Sequence, residues 1–134
     1  MASIQVSDGG TGPADTCRVL VVDDEAGLAA VVADALEHVD ERLQTSYTTE
    51  PREALQELRA RDVDCLVTDY EMPGLDGLGL IDRDDSGTPF VLFTQRREQH
   101  IVEGVHERGG EYLTKDTGFD QYRQLATLVR QMAD

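Results

Sequence analysis

Several kinds of residue are scarce in this sequence, and each scarcity argues for or against a class of protein or site. Only 12 residues are basic against 27 acidic ones, for a formal charge of −15. That balance argues against binding to a nucleic-acid backbone or to an anionic membrane surface, which both require clustered positive charge. No apolar run approaches the length of a membrane span, and no basic-then-apolar leader is present. We therefore expect a cytoplasmic protein that binds neither nucleic acid nor membrane.

Cysteine is also scarce. Cys17 and Cys65 lie far apart, each inside an apolar run, and no CxxC pair or Cys/His ligand spacing occurs. This pattern argues against a structural zinc site. We predict two buried thiols in a reducing compartment.

Lysine is the rarest charged residue, because 11 of the 12 basic residues are arginine and Lys115 is the only lysine. A surface position is the ordinary alternative for any lysine. A chain that otherwise uses arginine but keeps one lysine favours a site that needs a compact point charge, such as a partner for a phosphate.

The length of 134 residues allows one domain with one substantial core. Residues 1–16 are rich in Gly, Ser, Asp and Thr and show no periodicity, so we predict a disordered N-terminal tail there and one folded domain over residues 17–134.

The folded part alternates between strand and helix patterns. Short apolar runs at Val19–Val22, Cys65–Val67 and Phe90–Phe93 suit strands that are buried on both faces, and weaker strands are predicted at Leu43–Thr49 and Tyr112–Leu113. A helical pattern follows each strand, over Leu28–Val39, Pro51–Leu58, Leu78–Arg83, Ile101–Val105 and Leu125–Met132. Five alternations with short connections predict a doubly wound α/β domain with a parallel sheet.

Polar residues stand where the predicted strands end: Asp23 and Asp24, then Asp69, Thr94 and Lys115. Ligand sites of doubly wound folds lie at this edge of the sheet. Carboxylates packed together repel unless a cation neutralises them, and Mg²⁺ prefers oxygen ligands of this kind. The three aspartates therefore predict a magnesium site. For Asp23 and Asp24 the alternative is that they cap the first helix.

Four motifs occur in order along the chain, at Leu20–Glu25, Asp69–Gly77, Phe93–Thr94 and Tyr112–Lys115. Together they resemble the receiver domains of two-component response regulators, and the resemblance runs from Cys17 to about Ala133. It implies a CheY-like, flavodoxin-like fold with a five-stranded parallel sheet in the order 2-1-3-4-5.

The resemblance also implies the phosphorylation site. Asp69 looks like the phosphoacceptor, which takes a phosphoryl group from a phosphohistidine of a histidine kinase. Asp24, Asp69 and the backbone carbonyl of Glu71 would hold Mg²⁺ directly, and Asp23 would act partly through water.

Three further residues have roles by the same resemblance. Lys115 would contact the phosphoryl group, Thr94 would hydrogen-bond to it, and Tyr112 looks like the switch aromatic whose ring turns inward. The fourth helix, last strand and fifth helix would form the surface for a downstream effector. The sequence leaves open whether the domain also forms a homodimer through this surface.

The sequence departs from the family pattern near the site. Asp116 stands where the family usually has proline, so we expect a trans bond after Lys115 and an acid that could compete for its charge. Gln95 replaces a small residue after Thr94 and could restrict access to Asp69. The stretch from Asp69 to Thr94 is short, which leaves the third helix about two turns.

The segment from Leu92 to Leu125 looks most like receivers of halophilic archaea, and the acid excess fits solubility at high salt. We accordingly predict a solvated surface position for several further residues, namely Asp82, Asp84, Asp85, His38, His100 and His106.

Three functions are compatible with these residues. The first is a stand-alone phosphoacceptor switch, with no activity beyond its own phosphorylation and dephosphorylation. The second is a degenerate receiver that serves as an interaction module without phosphorylation, as Gln95 and Asp116 suggest. The third is a Mg²⁺-dependent phosphohydrolase, although such enzymes use a DxD arrangement where this chain has adjacent Asp23 and Asp24. We also expect that no output domain follows, so that the effector is another molecule.

Overall fold

A computed structural model describes residues 5–6, 16–60 and 62–133. The strands in these ranges are β1 (Gln5–Val6), β2 (Cys17–Val22), β3 (Leu43–Thr48), β4 (Cys65–Thr68), β5 (Phe90–Thr94) and β6 (Glu111–Thr114). The helices are α1 (Ala26–Val39), α2 (Pro51–Arg59), α3 (Gly77–Arg83), α4 (Gln99–Glu107) and α5 (Asp120–Ala133). Their alternation follows the sequence pattern.

The strands form one sheet in the order β1-β3-β2-β4-β5-β6, in which β2 to β6 are parallel. Counted from β2, the five parallel strands have the order 2-1-3-4-5. The predicted flavodoxin-like architecture is therefore confirmed.

Helices cover both faces of the sheet, which explains why its central strands are continuous apolar runs. Val19 and Val21 of β2 pack in one core cluster with residues of α1 and α5. Leu20 and Val22 point the other way and pack in a second cluster with residues of α2, α3 and α4. The two-residue period of the strand thus divides the core into two layers.

The N-terminal segment differs in part from the predicted tail. Gln5 pairs with Tyr47 and Val6 with Ser46, which makes β1 an antiparallel neighbour of the edge strand β3. Two residues are too short to show a strand period, so the sequence pattern could not reveal β1. The rest of the predicted tail, apart from Thr16, lies outside the described residues.

Most surface predictions are confirmed, and the one for Asp84 is corrected. His38, His100 and His106 lie exposed on helices, and Asp85 is exposed. Asp82 is exposed but forms an ion pair with Arg108, whose Nε lies 2.7 Å from its Oδ1. The Asp84 side chain is half-buried because it accepts hydrogen bonds from the Ser86 backbone N–H and hydroxyl, at the end of α3. Sequence pattern could not show these local partners.

Two other findings concern the cysteines and the possibility of a membrane-spanning helix. Cys17 and Cys65 are buried, as predicted. Within the described ranges, no helix combines the length and the apolar character needed to cross a membrane.

The start of α3 is packed tightly against the loop that follows β4. A Cβ atom on Gly77 would lie 2.3 Å from the backbone oxygen of Asp69 and 2.8 Å from Leu92 Cδ1. We therefore expect Gly77→Ala to lower the free energy of unfolding by about 2 kcal/mol, because backbone has to move to admit the methyl group.

The matched control is Gly27→Ala in α1, where a Cβ would meet nothing within 4 Å. It should raise the unfolding free energy by about 0.5 kcal/mol, since alanine favours a helix over glycine. Urea denaturation measures both variants, and equal effects on stability would contradict the close packing at Gly77.

Candidate functional site

The topology brings the predicted site residues to one edge of the sheet. Val22 pairs with Thr68, so Asp23 and Asp69 leave neighbouring strands at the same level. Thr94 ends β5 in register with Thr114, and the Lys115 N–H donates to the Thr94 carbonyl at 2.8 Å. Parallel strands end together at one edge, which explains why residues so far apart in sequence meet.

Lys115 reaches into the centre of this edge. Its Nζ atom lies 2.7 Å from Asp23 Oδ2 and 3.0 Å from Asp69 Oδ2. The side chains are well covered, with exposed fractions of 13% for Lys115, 4% for Asp23 and 14% for Asp69. The ordinary alternative of a solvated surface lysine is therefore wrong.

Burial and charge act in opposite directions on the pKa values of Asp23 and Lys115. Burial raises the pKa of the Asp23 carboxyl above its usual value, although the Lys115 ammonium and the Glu25 N–H act to lower it. Burial alone would lower the pKa of Lys115, but hydrogen bonds and charge from Asp23 and Asp69 outweigh it and raise that pKa. Lys115 therefore stays protonated and balances part of the negative charge.

The three predicted metal ligands are close enough to share a cation. Asp23, Asp24 and Asp69 each offer a carboxylate oxygen, and these oxygens all lie within 4.8 Å of one another. The Asp24 side chain is exposed and makes no hydrogen bond or ion pair with the residues that the structure describes. An all-oxygen donor set of this kind fits a hard divalent ion.

The capping alternative for Asp23 and Asp24 does not hold. The N-cap of α1 is Glu25, which makes no side-chain capping bond. Asp23 Oδ1 instead accepts from the Glu25 N–H at 3.0 Å, in the turn before the helix. Both carboxylates thus lie outside the helix terminus and face the site.

Backbone N–H groups after Asp69 donate hydrogen bonds to the second oxygen of its carboxylate, Oδ1. Asp69 Oδ1 accepts from the Tyr70 N–H at 2.7 Å, while the Glu71 N–H lies at the longer distance of 3.4 Å. Glu71 thus stands beside the carboxylate. That its carbonyl binds a metal stays a prediction.

Arg96 links several predicted site residues, and sequence reasoning did not identify it. Its N–H donates to the hydroxyl of buried Thr94 at 3.3 Å, and its carbonyl accepts from the Tyr112 hydroxyl. Its guanidinium lies 3.2 Å from Glu71 Oε2 and 5.3 Å from the centre of the Tyr70 ring. The loop after β5 is thereby joined to the loop after β4.

The guanidinium of Arg96 also pairs with Glu98 at the start of α4. Two consecutive arginines after a strand carry no signal that would single out the first, because the pairing depends on the conformation of the loop. Tyr112 itself is half-buried and packs against the second core cluster. Its predicted role as a switch is compatible with this position and stays a prediction.

Two of the departures from the family pattern, Gln95 and Asp116, behave differently. Gln95 is exposed at the cleft that contains Asp69 and Lys115, where it could restrict access as predicted. Asp116 is exposed and accepts from the Thr117 N–H at 2.8 Å, whereas the ion pairs of Lys115 are with Asp23 and Asp69. The expected competition of Asp116 for Lys115 is therefore wrong. No cis peptide bond occurs among the described residues, so the bond after Lys115 is trans, as predicted.

The cluster predicts how stability depends on pH in the metal-free protein. Since the pKa of Lys115 is raised on folding, its stabilising contribution is complete below 10.5 and is lost as pH rises through the folded-state value. Lys115→Met should lower the unfolding free energy by about 2 kcal/mol at pH 8, because two covered carboxylates lose their partner.

Urea unfolding in the presence of a chelator, from pH 8 to pH 11.5, measures this contribution. The difference between wild type and Lys115→Met should shrink only above the ordinary lysine pKa of 10.5. A difference that is absent at pH 8, or one that grows at alkaline pH, would contradict the pairing.

Comparison with known proteins agrees with the fold and with the motifs. The model of the response regulator receiver domain matches residues 19–127. The DNA-binding response regulator MtrA of Mycobacterium tuberculosis is 31% identical over 101 residues, which are 73% of this chain and 43% of MtrA. A protein-glutamate methylesterase/protein-glutamine glutaminase of Syntrophomonas wolfei is 28% identical over 106 residues, which are 75% of this chain and 30% of that protein.

A solved structure is similar over nearly its whole length. The response regulator domain of Thermotoga maritima CheB superimposes with a TM-score of 0.70 at 26% identity, covering 88% of this chain and 96% of that one. The chain spans less than half of the length of either curated relative. With a family match over most of its residues and the same sheet order, the chain belongs to the response regulator receiver domain family.

Proposed function

We propose that this receiver domain is a phosphoacceptor switch. Asp69 takes a phosphoryl group from a phosphohistidine of a histidine kinase in a Mg²⁺-dependent reaction, and the modified domain changes its binding to an effector protein. The observation that carries the proposal is the contact of the single lysine with Asp69 and Asp23, beside a third carboxylate.

The chemistry requires a carboxylate nucleophile and compensation of charge. An oxygen of Asp69 attacks phosphorus, so that an O–P bond forms while the N–P bond of phosphohistidine breaks. The bonding electrons stay with the imidazole nitrogen, which takes a proton from water. Asp69 needs no base, because a carboxylate attacks phosphorus without giving up a proton.

Charge on the transferred group has to be balanced throughout this reaction. Lys115 Nζ already donates to Asp69 Oδ2 and would also contact the phosphoryl oxygens. Mg²⁺ held by Asp24, Asp69 and the Glu71 carbonyl, with Asp23 partly through water, would neutralise the remaining negative charge.

The switch would use the hydrogen bonds of Arg96. Thr94 now accepts from the Arg96 N–H, and its hydroxyl would leave this donor to bind a phosphoryl oxygen. The Tyr112 hydroxyl is bound to the carbonyl of the same residue, so movement of the loop would free its ring to turn inward. The face formed by α4, β6 and α5 would carry this change to the effector, and to a homodimer partner if one forms.

The partner kinase would approach beside α1. Leu28 and Val31 have exposed fractions of 41% and 50%, which is unusual for large apolar side chains, and both lie on this helix. Leu28 also lines the cleft over Asp69. An apolar patch next to the phosphoacceptor suits a helix of the kinase that presents its phosphohistidine to the cleft.

One observation favours the second function, an interaction module that is not phosphorylated. Gln95 is exposed at the cleft, where its side chain can limit the approach of a phosphodonor. No turnover of external phosphoesters is expected in either case.

The cytoplasmic location and the likeness to halophilic receivers stay predictions, the latter supported by the charge of −15 and the single lysine.

Labelling with a small phosphodonor separates the two functions. Wild type treated with acetyl phosphate and Mg²⁺ should gain one phosphoryl group by intact-mass measurement, and chelation of the metal should prevent the gain. Asp69→Asn should gain none, because the amide oxygen is a poor nucleophile. Asp62→Asn is the matched control, since Asp62 is an exposed acid outside the cleft, and it should be labelled like wild type.

A folded wild type that binds Mg²⁺ but takes no phosphoryl group would overturn the switch and support the interaction module. Equal labelling of wild type and Asp69→Asn would instead assign the modification to another residue.

A further inference from the structure

The backbone that follows Lys115 is held by one side chain. Gln121 Oε1 accepts from the Asp116 N–H at 2.9 Å, and Gln121 Nε2 donates to the Asp116 carbonyl at 2.7 Å. Nε2 also donates to the Gly118 carbonyl at 2.9 Å. One amide group thus satisfies both backbone groups of Asp116, as a neighbouring strand would.

The main chain of Lys115 is therefore fixed on both sides. On the N-terminal side β6 pairs with β5, and the Lys115 N–H donates to the Thr94 carbonyl at 2.8 Å. On the C-terminal side the sheet has ended, and the Gln121 side chain supplies the hydrogen bonds to the backbone of Asp116. Gln121 lies in the first turn of α5, which is anchored in the core by buried Leu125 and Val129.

The loop between Lys115 and α5 has other support at its far end, where the Phe119 ring lies 5.8 Å from the His38 ring of α1 and 5.6 Å from the Tyr122 ring of α5. The Asp116 carboxylate binds the Thr117 N–H within the loop itself, and Gly118 has a φ of 94°, a conformation that favours glycine. Neither feature connects the part of the loop next to Lys115 to the rest of the domain. The amide of Gln121 makes that connection, through two hydrogen bonds at Asp116 and one at Gly118.

We propose that Gln121 is a positioning residue, whose amide fixes the peptide after Lys115 so that the ammonium stays between Asp23 and Asp69. A lysine side chain is long and flexible, so the placement of its charge depends on a fixed main chain. Displacement of a group by about 1 Å can cost a large factor in rate. The inference rests on the proposed function, because the part of Lys115 in phosphoryl transfer is itself proposed.

The test compares two substitutions with a matched control. Gln121→Ala removes all three hydrogen bonds, and Gln121→Glu keeps the size of the side chain but loses both donors. Gln124→Ala removes an exposed glutamine of the same helix that makes no hydrogen bond to the loop among the described residues. Circular dichroism establishes that each variant is folded.

The first measurement is the rate of labelling by acetyl phosphate with Mg²⁺. Both Gln121 variants should be labelled roughly tenfold more slowly than wild type, since the ammonium is no longer held in place. The Gln124→Ala variant should be labelled at the wild-type rate.

The second measurement does not depend on phosphorylation. Because Lys115 is the only lysine, selective ¹³C-lysine labelling gives one side-chain spin system by NMR. A lysine held between two carboxylates should show two resolved Hε signals and restricted ¹³Cε relaxation. Both Gln121 variants should show averaged Hε signals and faster motion, and Gln124→Ala should match wild type.

Slower labelling together with a mobile lysine supports the proposal. A Gln121 variant with a wild-type rate, or with a slow rate but a wild-type lysine signal, overturns it. If wild type itself takes no phosphoryl group, the proposed function fails, and the lysine signal alone decides whether Gln121 positions Lys115.

Discussion

The ammonium of Lys115 lies between the carboxylates of Asp23 and Asp69, and the arrangement of the whole sheet edge depends on this contact. Three aspartates within reach of one cation would repel one another at a partly covered site. Burial makes the charge of Asp23 especially costly, as its raised pKa indicates. A protonated lysine offsets that cost in the absence of metal and leaves Asp24 free to bind an ion.

Loops as well as strand ends connect this cluster to the rest of the molecule. Arg96 joins Thr94 and Tyr112 through its backbone and Glu71 through its guanidinium. In the proposed switch, a change at the carboxylates would reach the face formed by α4, β6 and α5 through these contacts. The guanidinium contacts are exposed and individually weak. In the proposed switch, a phosphoryl oxygen would offer Thr94 a stronger partner, and a loop held by weak contacts would then change position.

The sheet and the positions of the acids could be predicted from sequence because both follow from local pattern. Runs such as Val19–Val22 indicate buried parallel strands, and strand ends must meet at one edge. Lys115 was identifiable because it is the only lysine. Arg96 and Gln121 were not identifiable, since their importance depends on loop conformation. For the same reason the expected competition of Asp116 was wrong: its carboxylate turns to the Thr117 N–H.

The most direct test of this account is the pKa of the single lysine, measured by ¹³C NMR titration of the metal-free protein. The value should lie above 10.5 in wild type, because two carboxylates stabilise the charged form more than burial opposes it. It should fall in Asp23→Asn, which removes one of those charges. An ordinary or lowered pKa in wild type, unchanged by Asp23→Asn, would contradict the central place of Lys115.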